Sequence, residues 1–422
     1  MGDVVIIGGG PAGSILGAYL SKAGIENVII EKAMHPRPHV GESMVTATTR
    51  IFEEIGFLPT MESEGFPHKY GASWHGTDAP GEYAIWFKEF PQEGINQDYT
   101  YHVDRSRFDL RLLQHAQSLG STVYQGVDVR QVLMDGDRAT GVKVAIAGVE
   151  VDIPAKIVVD ASGRNAVLGS QLKLRQKDPI FNQFAVHGWF EDVDRSENPD
   201  TWDFIHIYFL NAKRGWGWQI PISDTVTSIG IVAEKEVFQQ SRGRVDEYWQ
   251  DMVDSSPDLA RAMAKATPVN DFKTEADYSY SMSQFAGDGY VLIGDAARFV
   301  DPIFSSGVSV AAHSAKFASA SIIEALAKGD TSYAAFSSYE SKLKEGVGVW
   351  YEFIKLYYKL LHMFTYFIDK DEYRIQVLRL LQGDVYDRSE ATALDAMREV
   401  IETVESTPGH LWKKYLSDMP ID

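Results

Sequence analysis

The sequence predicts an α/β protein: a Rossmann-like dinucleotide-binding domain, an antiparallel β-sheet domain inserted into it, and a helical C-terminal region. Three observations predict this. Within the first 31 residues a β-branched strand runs into a glycine loop, a helix and a second strand. Between residues 169 and 286 the apolar residues alternate, the period of half-buried strands. The last hundred residues carry helical spacing with no linker or low-complexity stretch. The expected boundaries are 1–168 with 287–328 for the nucleotide-binding domain, 169–286 for the sheet domain and 329–422 for the helical region.

The opening stretch is the most informative. Asp3-Val4-Val5-Ile6-Ile7 reads as a buried strand, and Gly8, Gly10 and Gly13 fill a G-x-G-x-x-G pattern directly after it. The three glycines serve separate ends, namely a tight turn, room for a pyrophosphate, and close packing of helix on strand. Ala12 lies inside the same loop. The following helix, Ser14 to Ala23, would present free N–H groups to the pyrophosphate. The second strand, Asn27 to Ile30, ends in Glu31, placed to accept hydrogen bonds from an adenosine ribose. This stretch alone leaves FAD and NAD both open.

Composition narrows the class. A chain of 422 residues buries a large core and accommodates two or three subdomains. Its 40 basic and 59 acidic residues give a net charge of −19, which argues against nucleic acid or an anionic membrane as partner. With no cysteine, disulfides, thiolate catalysis and cysteine metal sites are excluded, and no metal is expected. No basic, apolar leader precedes the glycine loop, so a cytoplasmic enzyme is the simple expectation.

Further along, Ile51, Phe52 and Ile55 mark a helix that ends near Gly56. Gly65 to Ala72 opens a Trp- and Tyr-rich strand region containing Lys69. Taken alone, Lys69 is a surface lysine; its glycine and aromatic neighbours favour a packed position. Val103 to Asp109 leads into an amphipathic helix, and Arg105 at its start either reaches the cofactor's phosphates or adenosine side, or is a solvated helix-start charge. Val123 to Leu133, Thr140 to Ile146 and Glu150 to Val159 read as a β-meander; Ile157 to Arg164 is a buried strand ending in a small-residue turn.

In the sheet domain, Phe181 to Phe190, Phe204 to Leu210, Gly215 to Pro221 and Thr225 to Val232 alternate, putting Trp216, Trp218 and Ile220 on one face. A helix is expected over Val245 to Ala264. Tyr290 to Ile293 is another buried strand, followed by Gly294-Asp295-Ala296, then Asp301 to Gly307 and an Ala/Ser-rich helix from Val308 to about Ala327. This is a second anion-binding construction, with Ser306 and Gly307 presenting backbone N–H groups. Glu352, Lys355, Lys359 and His362 interrupt the apolar run Val349 to Ile368 as one polar stripe, so a helix packed on the sheet or in a subunit contact is expected rather than a membrane span. Helices follow over Tyr373 to Tyr386 and Ala391 to Val404.

An acid at a late strand end, far from the glycine loop, favours an extended FAD over NAD. The glycine loop, Arg105-x-x-Phe108-Asp109, Asp160-Ala161-Ser162-Gly163 and Gly294-Asp295-Ala296 together resemble the FAD-dependent monooxygenase superfamily. Trp216-x-Trp218-x-Ile220-Pro221 is similar to the W-x-W-x-I-P motif of the flavin-dependent halogenases. Gly41-Glu42-Ser43, the Lys69 segment and Asp301 to Val308 resemble the branch that acts on phenols and pyrroles, including carrier-tethered ones. The resemblance covers Met1 to Ala327 and implies a defined chemistry. Reduced FAD (FADH2), supplied by a separate flavin reductase, and O2 would oxidise chloride or bromide to hypohalous acid, and Lys69 would hold that oxidant or form a chloramine with it to halogenate an electron-rich ring. Ser306 and Gly307 would hold the halide. Phe304 stands where tryptophan halogenases carry a glutamate, which points away from free tryptophan. The expected cofactor contacts are Gly8, Gly10, Ala12, Gly13, Glu31, Arg105, Val129, Asp295, Ser306 and Gly307, with Lys69 as the catalytic residue. A geranylgeranyl-reductase-like flavoprotein and a non-halogenating flavoprotein of the same superfamily are the competing readings.

Overall fold

The computed structural model describes residues 3–77, 81–90, 98–276, 278–386 and 391–421. A six-stranded sheet carries the glycine loop, in the order Ala286–Gly287, Tyr290–Leu292, Ile157–Asp160, Val4–Ile7, Asn27–Glu31, Thr122–Gln125. All neighbours but the first pair are parallel. Ile7 is level with Ile30 on one side and Asp160 on the other, so the loop leaves the sheet at the carboxyl edge of its central strand. That edge is where open α/β sheets bind ligands. The helix Pro11–Lys22 is wedged between the helices Arg105–Leu119 and Ser306–Lys328. The buried alanines and serines of Ser306–Lys328 permit this close approach.

The second sheet runs Thr267–Pro268, Gln183–Glu191, Thr227–Glu234, Trp216–Pro221, Ile205–Phe209, Gly71–His75, Glu82–Trp86. Its last two strands come from outside 169–286. They join because Ile205–Phe209 has a free edge, which Gly71–His75 pairs in parallel. Alternation divides the sheet's faces. Ala185, Ile205, Trp216, Trp218 and Ile220 line a central cavity. The opposite face, with Val186, Tyr208, Leu210, Ile229 and Ile231, forms a second core under the helices Val245–Asp254 and Pro257–Met263.

Several elements differ from the sequence expectation. Val123 to Leu133 is two strands: Thr122–Gln125 joins the parallel sheet, and Asp128–Asp135 starts the meander, with Gly126 turning the chain between them at φ +72°. Glu150 to Val159 likewise splits after Pro154, which cannot donate to a ladder. The single helix over Val245 to Ala264 breaks before Pro257, as a proline in a helix interior requires. The apolar run Val349 to Ile368 lies at the end of a helix, Tyr333–Lys359, followed by a short turn and the helix Phe364–Asp369. Its polar stripe is used within the chain: Glu352 pairs with Arg398 at 2.8 Å and Lys359 with Glu405 at 2.6 Å. No helix among the described residues is long and apolar enough to cross a membrane.

Candidate active site

A cavity of about 610 Å³ opens at the carboxyl edge of the parallel sheet and extends beneath the second sheet. The glycine loop forms one end. Gly8 turns the chain at φ +107°, and a Cβ there would lie 2.4 Å from the carbonyl oxygen of Ala161. A Cβ on Gly13 would lie 2.0 Å from the carbonyl oxygen of Gly8, so that residue is fixed by helix-on-strand packing and does not line the cavity. Gly10 differs: a Cβ there would meet only Arg37 Nη2, at 3.5 Å, and otherwise project into open space. The loop therefore leaves room for a bulky group at Gly10, as a pyrophosphate requires.

Glu31 lines the same end. Its two oxygens accept from the amides of Gly9 at 2.7 Å and Ala33 at 2.8 Å, which fixes the carboxylate and leaves lone pairs for ribose hydroxyls. Arg105 lines the cavity but is largely committed within the protein. Nε and Nη2 hold both oxygens of Asp109, at 2.7 and 3.1 Å, and Nη1 donates to the carbonyls of Val40 and Gly41. Four of its five N–H donors are thus spent on organising the loop. It is not the solvated charge weighed from sequence, and one N–H donor is left uncommitted. Arg37, unmarked by any motif, stands closer to the glycine loop and leans on the same Asp109 at 3.5 Å.

Ala12, Val129 and Asp295 also face the cavity. Burial lifts the Asp295 carboxyl to about 6, opposed by the charges of Arg105 and Arg164. The residues present fit FAD: an uncluttered loop for a pyrophosphate, a fixed acid for a ribose, and a late strand-end acid at the other side. Glu42, at the middle of the wall, accepts from Trp189 Nε1 at 2.6 Å. Burial raises its carboxyl pKa, against the hydrogen bonds of Ser228 and Trp189 and the charges of Arg105 and Lys273.

The far end is built of aromatics and a helix terminus. Trp216 and Trp218 line the cavity as alternation requires, their ring centroids 5.8 Å apart. Gly230 is directly across from Trp218, and a Cβ there would strike the indole at 2.1 Å. Trp216 Nε1 donates to Tyr358 Oη at 2.8 Å, and Tyr358 donates to Asp301 Oδ1 at 3.2 Å. Burial raises the Asp301 carboxyl to about 7. The C-terminal helix Tyr333–Lys359 thereby braces the site wall from behind. Phe304 is enclosed by Trp350, Phe353, Tyr357 and Phe364, with Phe353 stacked at 4.3 Å.

The helix Ser306–Lys328 begins here. Ser305, in the left-handed region at φ +55°, precedes it, and no side chain caps its first turn. The ordinary cap, with Ser305 or Ser306 bonding that turn, is therefore absent. Instead, Ser306 Oγ points back to the carbonyl of Asp301 at 3.4 Å. Gly307 lines the cavity, whereas Ser306 is buried behind it.

Lys69 sits on the short strand His68–Lys69, paired with Thr100–Tyr101. It is 3 % exposed, so its aromatic and glycine neighbours prevail over the usual surface preference. Nζ donates to the carbonyl of Met44 at 2.8 Å and lies 5.6 Å from the Phe87 ring. Burial alone pulls its pKa from 10.5 down to about 7, with no acid among the described residues to restore it. Lys69 does not line the main cavity. It stands one peptide beyond Ser43, which does.

Comparison with known proteins gives one consistent picture. The profile of the family described as "FAD binding domain" matches residues 1–347. A 1H-pyrrole-2-carbonyl-[peptidyl-carrier protein] chlorinase of Pseudomonas fluorescens is 48% identical over 99% of this chain and 97% of its own. The corresponding brominase of Pseudoalteromonas luteoviolacea is 31% identical over 95% of this chain and 96% of its own. The solved structure of a flavin-dependent brominase superposes with a TM-score of 0.87 and 32% identity, over 96% of this chain and 99% of that one.

Proposed function

The chain belongs to the FAD-binding family and, within it, to the flavin-dependent halogenases, oxidoreductases that use FAD and a halide, and on that premise we propose that it chlorinates a pyrrole-2-carbonyl group carried on a peptidyl carrier protein. The ring is the electron-rich kind the sequence points to, and the carrier follows from the similarity to the two relatives above. A separate flavin reductase supplies the reduced cofactor, since the chain repeats no second nucleotide fingerprint. When bound, reduced FAD supplies, with O2, the oxidising equivalents that convert chloride to hypochlorous acid.

The observation that carries the reading is Lys69, a buried lysine held by one carbonyl and free of any acidic partner among the described residues. With a pKa of about 7, half of it is a neutral amine at that pH. The amine nitrogen attacks the chlorine of hypochlorous acid: an N–Cl bond forms, the O–Cl bond breaks, and the departing hydroxide takes an N–H proton to leave as water. The ring then takes chlorine from nitrogen, and its displaced proton restores the N–H bond. Glu31 and the glycine loop anchor the nucleotide end, with Arg37 available to a phosphate. Chloride is held on the uncapped N–H groups of Ser306 and Gly307. Trp216, braced by Tyr358, and Trp218, braced by Ser228, keep water from the middle of the cavity.

The test combines the purified chain with FAD, a flavin reductase and its reductant, air, chloride and a pyrrole-2-carbonyl carrier protein. Intact-mass measurement of the carrier reads the outcome. Chloride-dependent mass gain with the chlorine isotope pattern is expected. Reductant consumption with an unmodified carrier would overturn the substrate assignment.

A further inference from the structure

The face of the large sheet away from the cavity holds a polar cluster that halogenation leaves unused. His75 and Glu82 are direct cross-strand partners, and His206 lies on the neighbouring strand, two residues from Tyr208, which pairs with His75. Both histidines are buried, and one ligand-capable atom from each of the three residues lies within 4.8 Å of the others.

The ring protons can be assigned from the partners. His206 Nε2 faces the carbonyl of Thr201 at 3.0 Å, and a carbonyl only accepts, so Nε2 carries the hydrogen. His75 Nδ1 faces the carboxylate of Asp258 at 3.3 Å and carries its hydrogen for the same reason. The remaining nitrogens, His75 Nε2 and His206 Nδ1, are 2.9 Å apart. In two neutral rings both hold lone pairs, and these point at each other in a buried place. A cation between them would satisfy both. A proton would serve, with the Asp258 carboxylate beside His75 balancing the charge, but it leaves Glu82 without a role. A metal ion uses both lone pairs at once.

The surroundings match a metal centre. Ligating imidazoles characteristically donate their other N–H to a carboxylate or a backbone carbonyl, and here one does each. Glu82 is oriented by Ser73 Oγ at 2.5 Å, and the Tyr208 ring stacks on His75 at 4.6 Å. Tetrahedral zinc, with bonds of about 2.0–2.1 Å, sets its nitrogen ligands roughly 3.3 Å apart, a few tenths of an ångström beyond the present separation. Glu82, half-buried at the start of an edge strand, gives access from solvent.

We propose that His75 Nε2, His206 Nδ1 and the Glu82 carboxylate bind one divalent transition-metal ion of the zinc type, with Asp258 as a positioning residue. Two imidazoles and one carboxylate favour such an ion over magnesium or calcium, and three protein ligands leave a position for water. The site ties Glu82–Trp86 and Gly71–His75 to Ile205–Phe209. The expectation of no metal rested on the missing cysteines, which exclude thiolate sites only; the two histidines, 131 residues apart, carry no motif spacing.

The test uses the full, tag-free chain stripped with a chelator and titrated with zinc against a chromophoric competitor, with cobalt(II) absorption as a second readout. One tight equivalent of zinc per chain is expected, with tetrahedral-type visible bands for cobalt. Glu82→Gln should weaken it at least tenfold, and Asp258→Asn about 10–100-fold, as outer partners of ligating histidines do. His75→Gln should abolish it; if that variant fails to fold, the half-exposed Glu82 decides. Absence of a tight equivalent, or affinity unchanged in Glu82→Gln and Asp258→Asn, would overturn the site in favour of a proton-bridged histidine pair.

Discussion

The two ends of the cavity are built by opposite means. At the nucleotide end the working groups come from the first 37 residues, and most of the work is done by backbone: absent Cβ atoms and amides that fix one acid. At the far end they come from distant segments: Trp216 and Trp218 line the cavity, Tyr358 stands behind Trp216, and Lys69 stands one peptide beyond the lining residue Ser43. A local, backbone-built end tolerates change elsewhere in the chain. An end assembled over long range depends on packing throughout the protein, and it is where chemistry can be separated from binding.

The largest expected effect lies within the glycine loop itself. Gly13→Val places side-chain atoms against the Gly8 carbonyl and should cost about 3 kcal/mol or more, seen as a large fall in Tm or loss of soluble protein. Gly10→Val meets open space in the protein alone, so its Tm should stay near wild type while FAD affinity collapses. A Gly10→Val chain that retains FAD at full occupancy would refute the pyrophosphate cradle. Equal Tm losses in the two variants would erase the distinction between packing and ligand room.

The far end should show itself in pH. If the neutral amine of Lys69 is the acting form, the chlorination rate should rise with pH and level off above about 7. At pH 6 it should be about a tenth of its plateau value. FAD affinity, set at the other end, should not follow that curve. The sign for stability is independent of the chemistry. The folded lysine binds fewer protons than the unfolded one between about 7 and 10.5, so its burial penalty is full below pH 7 and is relieved as pH rises through that window. A rate that falls between pH 6 and 8 would show that the ammonium acts instead, as a hydrogen-bond donor.

A smaller effect probes the brace. Tyr358→Phe removes the acceptor of both Trp216 Nε1 and Gln183 Nε2, leaving buried donors unpaired. A loss of about 1–3 kcal/mol in unfolding free energy is expected, with FAD binding little changed. Thermal or denaturant unfolding measures it. An unchanged stability would mean that the aromatic end is held by packing alone.

These contrasts explain what could be read from the sequence. The glycine loop, Glu31 and the one-face placement of Trp216, Trp218 and Ile220 were legible because each depends on local spacing or strand alternation. Arg37 was missed because its significance arises only when the loop after Glu31 folds back over Gly10. Glu42 stands in a motif, but its buried carboxyl depends on Trp189, 147 residues away. Tyr358 meets Trp216 across 142 residues, with no periodicity to announce it. Pro257, by contrast, was a visible stop signal inside the expected helix, and the break there follows from local chemistry.

The central claim is that Lys69 acts on the oxidant and takes no part in holding the nucleotide. The most direct measurement is Lys69→Ala under the full assay, with flavin reductase and carrier substrate, reading reductant consumption and carrier chlorination in the same sample. The expected result is wild-type FAD binding and undiminished consumption of reduced flavin and O2, with chlorination reduced about 1,000-fold or more, as for removal of a nucleophile. Chlorination at the wild-type rate in that variant would contradict the claim.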